Sequence, residues 1–351
     1  MDTGGRAPTP ETGPAPGAKR GRTLKLAIPF VGLVIVLAVL VSVIDVREAL
    51  RAIAGADPAW VALAMALAVV LTFMSAFRLR LFCLAAGEPV GYRRCWSAVM
   101  ASLTLNAVLP GRGGDFIKAY FLADRKGQGA VLLGVTLLER VVDVLVLAVL
   151  ALIGALLAEM HGAAAAAALV ACLPIGAFLA LGFAHRVPVV GAKLQRLGVA
   201  ARGAAKRPGL LAGATLLATV FWGIVVLIVW SLLRAVGAGV PIDATAGATP
   251  LAVLVGVLPL TISGIGTRDG MLVLLLRDYA PGELVFAAGL LYTAIAYWML
   301  AALGLALLGR ETLRKARAGE GPTASPPAPG RPGSGTLSDG QNRMYGDRDA
   351  H

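Results

Sequence analysis

The chain reads as an all-α polytopic helical membrane protein, with about six full spans and two re-entrant helical hairpins arranged as an inverted repeat. Three observations lead to this reading. Of 351 residues, 58% are hydrophobic and 15% charged, and the mean hydropathy is +0.78; soluble domains sit near 45–50% and 25%. The apolar residues gather in blocks of roughly 19–27 residues, the length a helix needs to cross a ~30 Å hydrocarbon layer. Two further apolar blocks are too short to cross, and each breaks at a proline followed by a glycine-rich polar turn. A soluble enzyme, a secreted disulfide scaffold and a disordered protein are excluded.

Taken in order, residues 1–25 are Pro/Gly-rich and basic, with Lys19, Arg20, Arg22 and Lys25 just before the first apolar block, and are expected to be a disordered cytoplasmic N-terminus. The block 26–44 follows a positive region like a signal sequence, but its exit, Val43-Ile44-Asp45-Val46, offers no small-x-small cleavage site. It is expected to be an uncleaved signal anchor. Full spans are predicted at about 59–77, 130–157, 163–184, 210–233 and 284–308. They lie in one membrane domain, 26–310, whose halves are 59–157 and 210–308. Residues 311–351, Pro/Gly/Ser-rich over 318–337, are expected to be a disordered cytoplasmic tail with no soluble domain after residue 310.

The two short blocks, 97–109 and 250–261, would span only ~20 Å as helix. Each is followed by a second short arm, 116–123 and 270–276. Polar backbone at that depth is tolerated only where protein or a water-filled cavity surrounds it. If both hairpins return to their side of entrance, 25 of the 32 Lys/Arg fall in loops on one side, four (Arg47, Arg51, Arg234, Arg277) on the other, and Arg112, Arg140 and Arg268 within the membrane. The positive-inside rule makes the basic side cytoplasmic. The expected location is the cell inner (plasma) membrane, multi-pass, with both termini in the cytoplasm.

This topology makes 59–157 and 210–308 two span–hairpin–span units of opposite orientation. Their turns share a local likeness: Val108-Leu109-Pro110-Gly111-Arg112-Gly113-Gly114-Asp115 against Val257-Leu258-Pro259, then Gly264-Ile265-Gly266-Thr267-Arg268-Asp269. Interrupted segments at matching places in two inverted halves point to a transporter-type binding site. Pro and Gly merely kinking two ordinary helices would not explain an Arg and an Asp at both. Seven charges lie at membrane depth: Arg112, Asp115, Glu139, Arg140, Asp143, Arg268 and Asp269. Each costs at least ~2.5–3.5 kcal/mol at mid-helix, so they require partners or a function. Glu139 and Asp143 share a face at i,i+4, and Arg140 and Asp143 can pair at i,i+3. These three form a structural ion pair against the first hairpin, a charge-coupling site, or both.

The turn Gly111-Arg112-Gly113-Gly114 offers backbone N–H groups and an Arg suited to an oxyanion such as a lipid phosphate. No Gly-Lys-Ser/Thr follows, so it is not a nucleotide-hydrolysing P-loop. Lys118 either adds a second cationic contact or snorkels to the cytoplasmic interface, the latter being preferred. Cys83, Cys95 and Cys172 have no CxxC spacing, and His161, His185 and His351 lie at segment ends or the terminus. Neither a disulfide framework, a metal site nor a histidine triad is readable, and no cofactor is expected.

The run from Asn106 through Pro110, Gly111, Arg112, Gly113, Gly114 and Asp115 to Lys118, then Leu138-Glu139-Arg140-Val141-Val142-Asp143, then Pro259…Gly264, Gly266, Arg268 and Asp269, resembles the lysylphosphatidylglycerol synthase transmembrane-region family. The resemblance covers about 25–310. It departs from the pattern at Asp115 and Asp269, where the family usually has Glu, and at Lys118, where Arg is common. It implies a flippase-like membrane domain that moves a lipid between leaflets, with the first-hairpin residues Asn106–Lys118 named above and Gly264, Gly266, Arg268 and Asp269 binding the headgroup. The leading expectation is a non-enzymatic lipid transporter with an anionic or zwitterionic headgroup bound between the hairpins: a phospholipid, a polyprenyl-linked lipid or a hopanoid-like lipid. Arg112 and Arg268 would contact phosphate. The alternatives are a lipid-modifying transferase, in which Asp115, Glu139 and Asp143 gather around one ion, and a scaffold for a lipid-synthesis complex that docks through the basic loop 185–207. A separate lipid-modifying enzyme is a candidate partner; nucleic acid is not.

Overall fold

A backbone in lipid must satisfy its own hydrogen bonds, and a chain of this hydropathy does so as helices. The computed structural model describes residues 45–107, 109–124, 128–183, 192–257 and 265–307, and its secondary structure there is helical, without strands. The expected signal anchor, both terminal segments, Val108 and 258–264 lie outside the described residues.

The first element among the described residues is a short helix, α1 (Val46–Ala54), capped by Asp45, whose carboxylate accepts from Arg47 N at 2.9 Å and Glu48 N at 3.3 Å. Hydropathy alone reads this stretch as loop. Helix α2 (Pro58–Ala86) starts on an Asp57 cap with Pro58 in its first turn. It ends at Gly87, φ +92°, where Gly87 N donates to Leu84 O and Glu88 N to Cys83 O. The predicted span stopped at 77. Nothing in Arg78-Leu79-Arg80 breaks a helix, and the stop signals, Gly87 and Pro89, lie nine residues later and beyond.

The first hairpin has the arm α3 (Tyr92–Asn106), a 3₁₀ tip (Pro110–Phe116) and the return arm α4 (Ile117–Leu122). Its ends meet at the base: Arg94 donates to Leu122 O at 3.2 Å and to Asp124 at 2.8 Å. The chain therefore leaves at the level where it arrived. At the tip, a Cβ on Gly114 would lie 2.7–2.8 Å from Asn106 and Ser102, so only glycine lets the 3₁₀ turn fold back onto α3.

Helices α5 (Gln128–Leu157), α6 (His161–Phe183), α7 (Ala192–Ala205) and α8 (Pro208–Ala235) follow. Helix α7 lies in the basic segment that hydropathy alone reads as loop; it packs on α5 and α2. The second hairpin has arms α9 (Ile242–Val257) and α10 (Thr267–Leu276). Its first arm begins earlier than predicted, because the helix starts after Pro241, and Pro250 sits inside it and deletes one internal donor. Helix α11 runs Gly282–Thr293, continues as a π-helical turn over Ala294–Met299, and resumes to Leu307. By length and composition, Pro58–Ala86, Gln128–Leu157, Pro208–Ala235 and Gly282–Leu307 are able to cross a membrane. This is an all-α polytopic membrane protein.

Helices α2 and α8 are antiparallel partners. Asp57 N bonds Ala235 O at 2.9 Å and Trp60 packs edge-on to Trp230 at one end, while Arg207 Nη1 donates to Leu84 O at 2.6 Å at the other. The hairpins enter from opposite ends of this pair. The base of the first lies beside the end of α2 and the start of α5, tied by Gln128 donating to Glu88 and accepting from Asp124 N. The second lies beside the end of α5: Tyr279 donates to Ala158 O, and a Cβ on Gly247 would lie 2.8 Å from Ala155 N. The inverted arrangement is thus present in the packing, with small residues letting α5 and α9 meet backbone to backbone.

Candidate functional site

The face of α2 that carries Ala64, Ala68 and Leu71 inward also carries Arg78, which is 3% exposed. A guanidinium at that position must find anions, and two stand opposite on α5. Arg78 reaches Glu139 at 2.9 Å and Asp143 at 2.6 Å, with its guanidinium 4.8 Å from the Phe221 ring centre. Glu139 also holds Lys118 at 3.1 Å, and Lys118 lies 3.3 Å from Asp115. Asp115 receives Arg140 at 2.7 Å, and Arg140 returns to Asp143 at 3.4 Å.

These six groups form a closed ring in which charges alternate: Arg78, Glu139, Lys118, Asp115, Arg140, Asp143. Three cations face three anions, so the ring is neutral. It draws on α2, the 3₁₀ tip, α4 and α5, and so fastens the first hairpin to the bundle. Further donors hold the carboxylates: Ser102 Oγ to Asp115 at 2.7 Å, Asn106 Nδ2 to Asp115 at 3.1 Å, and Trp222 Nε1 to Asp143 at 3.0 Å. Buried charges are sustained only with this degree of pairing.

The ring stands at the wall of a cavity of about 100 Å³, room for several waters or one phosphate-sized group. Arg78, Asp115, Lys118, Arg140 and Asp143 line it, facing apolar and aromatic side chains of α8 and α11, among them Phe221, Tyr292 and Tyr297. Arg140 is the accessible member, with its side chain 25% exposed, whereas the other five are at 7% or below. The Nε atoms of Arg78 and Arg140 have no hydrogen-bond partner among the described residues. These two donors are available to an incoming acceptor.

The second hairpin builds a smaller cluster. Arg268 pairs with the neighbouring Asp269 and donates to Gly289 O at 3.0 Å and Thr293 Oγ1 at 2.7 Å, its guanidinium 4.5 Å from the Tyr292 ring centre. Asp269 accepts from Gly266 N at 3.2 Å and so caps α10; Gly266 takes φ +89° there. Arg268 thus takes a carbonyl and a hydroxyl at i,i+4 on α11, as Arg78 takes two carboxylates at i,i+4 on α5. The second half repeats the geometry with neutral groups.

The structure brings together Asn106, Gly114, Asp115, Lys118, Glu139, Arg140 and Asp143. It does not place Arg268 and Asp269 among the cavity-lining residues: their polar atoms turn into α11, and they touch the cavity wall through Tyr292. Lys118 does not snorkel; it is buried, because two carboxylates within 3.3 Å hold it. Pro110, Gly111, Arg112 and Gly113 lie in the 3₁₀ turn; the side chain of Arg112, and Gly264 entirely, lie outside the described residues. Asp115, Glu139 and Asp143 are separated by cations rather than gathered on one point, and among the described residues no cluster has a metal-binding arrangement. Arg78 was placed in a cytoplasmic loop by hydropathy; the spacing 71, 75, 78, 82 on the buried face of α2 is the signal that locates it. Trp222 carried no sequence signal, since an apolar residue in an apolar span does not announce a donor.

Among known families, the model described as the lysylphosphatidylglycerol synthase TM region matches residues 27–304. No curated protein matches the chain.

Proposed function

The chain belongs to the lysylphosphatidylglycerol synthase TM-region family, and from that premise we propose that it is a non-enzymatic lipid translocase of the plasma membrane. Its headgroup site is the cavity beside the six-charge ring, and both termini are cytoplasmic. The observation that carries the reading is the joint placement of that ring and cavity between the two inverted halves, with α2, α5 and the first hairpin on one side and α8 and α11 on the other. A binding site at the interface of inverted halves is the arrangement through which the two halves expose a site to one side and then the other.

Arg140 is the phosphate contact in this reading. It is the accessible cation of the ring, its guanidinium suits two phosphate oxygens at once, and its Nε has a donor to spare. Arg78 and Lys118 hold the carboxylates while Arg140 exchanges partners. Arg268 acts at a distance, by fixing Tyr292 on the opposite wall. The first hairpin opens on the cytoplasmic side, where Arg93 and Arg94 stand at its base.

The test is transbilayer movement of acyl-labelled fluorescent phospholipid in proteoliposomes, read by dithionite quenching. Wild type is expected to move at least one phospholipid class faster than empty vesicles. Arg140→Ala should reduce that rate by at least ~10-fold, the worth of one charge-assisted contact, and Arg140→Lys should restore part of it. Full transport by a folded Arg140→Ala protein would remove Arg140 from the site.

A further inference from the structure

We infer that the π-helical turn Ala294–Met299 of α11 is the joint about which the two hairpins move relative to one another, with α5 as the unjointed tie opposite it. This rests on the translocase reading for its role in transport. Its structural basis is which part of α11 is fastened to which hairpin.

Two helices, α5 and α11, each touch both hairpins. Helix α5 holds the first hairpin through Arg140 to Asp115 at 2.7 Å and Glu139 to Lys118 at 3.1 Å. Near its other end it meets the second, where a Cβ on Gly247 of α9 would lie 2.8 Å from Ala155 N. Helix α5 is α-helical throughout, Gln128–Leu157, so nothing interrupts it between these contacts. In α11 the order is reversed. Its first part is fastened to the second hairpin: a Cβ on Gly289 would lie 2.6 Å from Asp269 Oδ1, and Arg268 donates to Gly289 O at 3.0 Å and Thr293 Oγ1 at 2.7 Å. Its last part is fastened to α3 of the first hairpin. There a Cβ on Gly304 would lie 2.6 Å from Thr104 Oγ1 and 3.0 Å from Met100 O, and Thr104 Oγ1 donates to Ala301 O at 3.4 Å. The π turn fills the interval between the two attachments.

A π turn bonds i to i+5 and so holds one residue more than the α-helical turn it replaces. Sharp helix bends concentrate at such turns. The run Ala294-Ile295-Ala296-Tyr297-Trp298-Met299 has neither proline nor glycine to force a break. The turn is therefore a product of packing, set by the two attachments that α11 has to satisfy at once. It is also part of the cavity wall: Ala296 and Tyr297 line the cavity, with Tyr292 and Leu300 on either side, while Trp298 is exposed. When the extra residue passes along the helix, each residue it passes rotates by about 100°, one residue's share of a helical turn. Tyr297 then leaves the wall, so flexing of the joint and reshaping of the cavity are one event.

The test joins hydrogen–deuterium exchange, read by mass spectrometry on the full chain in nanodiscs, to the vesicle transport assay. In wild type, the amides of 294–300 should exchange at least ~10-fold faster than those of 285–292, as a locally opening segment does. Deleting Ala294 closes the turn to α-helix while Gly289 and Gly304 keep their faces. That variant should fold with the unfolding midpoint of wild type and show slow exchange along all of α11. It should move lipid at least ~10-fold more slowly, because the second arrangement is depopulated. Deleting Ala302, an alanine outside the turn, swings Gly304 away from Thr104 and should lower the midpoint instead. Slow exchange at 294–300 in wild type overturns the joint, whether or not the Ala294 deletion folds. Full transport by a folded Ala294 deletion overturns it too, as does equal destabilisation by the two deletions. Fast exchange that the Ala294 deletion abolishes, in a wild type that moves no lipid, supports the joint and overturns the translocase reading.

Discussion

Arg78 separates the hydropathy reading from the ring most sharply. In a cytoplasmic loop, Arg78→Met would change stability by a few tenths of a kcal/mol, as at ordinary surface positions. In the ring, methionine preserves much of the side-chain volume but removes the contacts at 2.6 and 2.9 Å. It leaves Glu139, Asp115 and Asp143 to share Lys118 and Arg140, one negative charge in excess within a buried cluster. Breaking a buried pair from one side costs about 3–5 kcal/mol, and for a chain of this size that lowers the unfolding midpoint by on the order of 4–7 °C. Neutrality is restored by adding Asp143→Asn, whose side-chain oxygen still accepts from Trp222 Nε1. The double variant should therefore be more stable than Arg78→Met alone, by about 2 kcal/mol, although each single change destabilises. The assay is thermal unfolding of the four proteins in one detergent, treated as a double-mutant cycle. A near-neutral Arg78→Met, or a double variant as unstable as the sum of its parts, would refute the alternating ring.

Other consequences are more local. Gly114→Ala places a Cβ 2.7 Å from Asn106 Oδ1 and 2.8 Å from Ser102 O, atoms held by the arm of the hairpin, so it should cost about 1–3 kcal/mol by overpacking, measured by the same unfolding assay. Gly289→Ala drives a Cβ to 2.6 Å from Asp269 Oδ1; a similar loss is expected, while Gly223→Ala, which meets nothing within 4 Å, should be neutral or stabilising by about 0.5–1 kcal/mol. Arg94 and Asp124 form an exposed pair, with side chains 44% and 59% accessible. Arg94→Ala should therefore cost less than about 1 kcal/mol, and a larger drop in unfolding midpoint would mean that the hairpin base carries more of the fold than its exposure implies.

Much of this architecture was legible in the sequence, and the failures have a common physical origin. The long spans were found because lipid forces apolar residues into long runs, and the hairpins because a proline and a glycine turn interrupt runs too short to cross. Glu139, Arg140 and Asp143 were visible as charges with nowhere exposed to go. Arg78 and Lys118 were misplaced for the opposite reason: each lies near the end of an apolar run, where a charge is ordinarily solvated, and only the carboxylates folded against it hold it inside. The helix-stop signals at Gly87 and Pro89 would have kept Arg78 in α2. Arg268 looked equivalent to Arg112 because their flanking residues are alike; that its partners are a backbone carbonyl and a hydroxyl on α11 depends on Gly289 and Thr293 sharing a face with Tyr292, a fact of packing rather than of spacing. The starts of α1 and α9 were missed because the cap at Asp45 and the turn at Pro241 are weak signals beside the hydropathy of their neighbours.

The measurement that bears most directly on the account is an electron cryomicroscopy map of the protein in nanodiscs of its native lipids, compared with Arg140→Ala. The account predicts headgroup density in the cavity within hydrogen-bonding distance of Arg140, absent in the variant, with Arg78 still bridging Glu139 and Asp143. A cavity empty of lipid in wild type, with headgroups confined to the outer surface of the bundle, would contradict it.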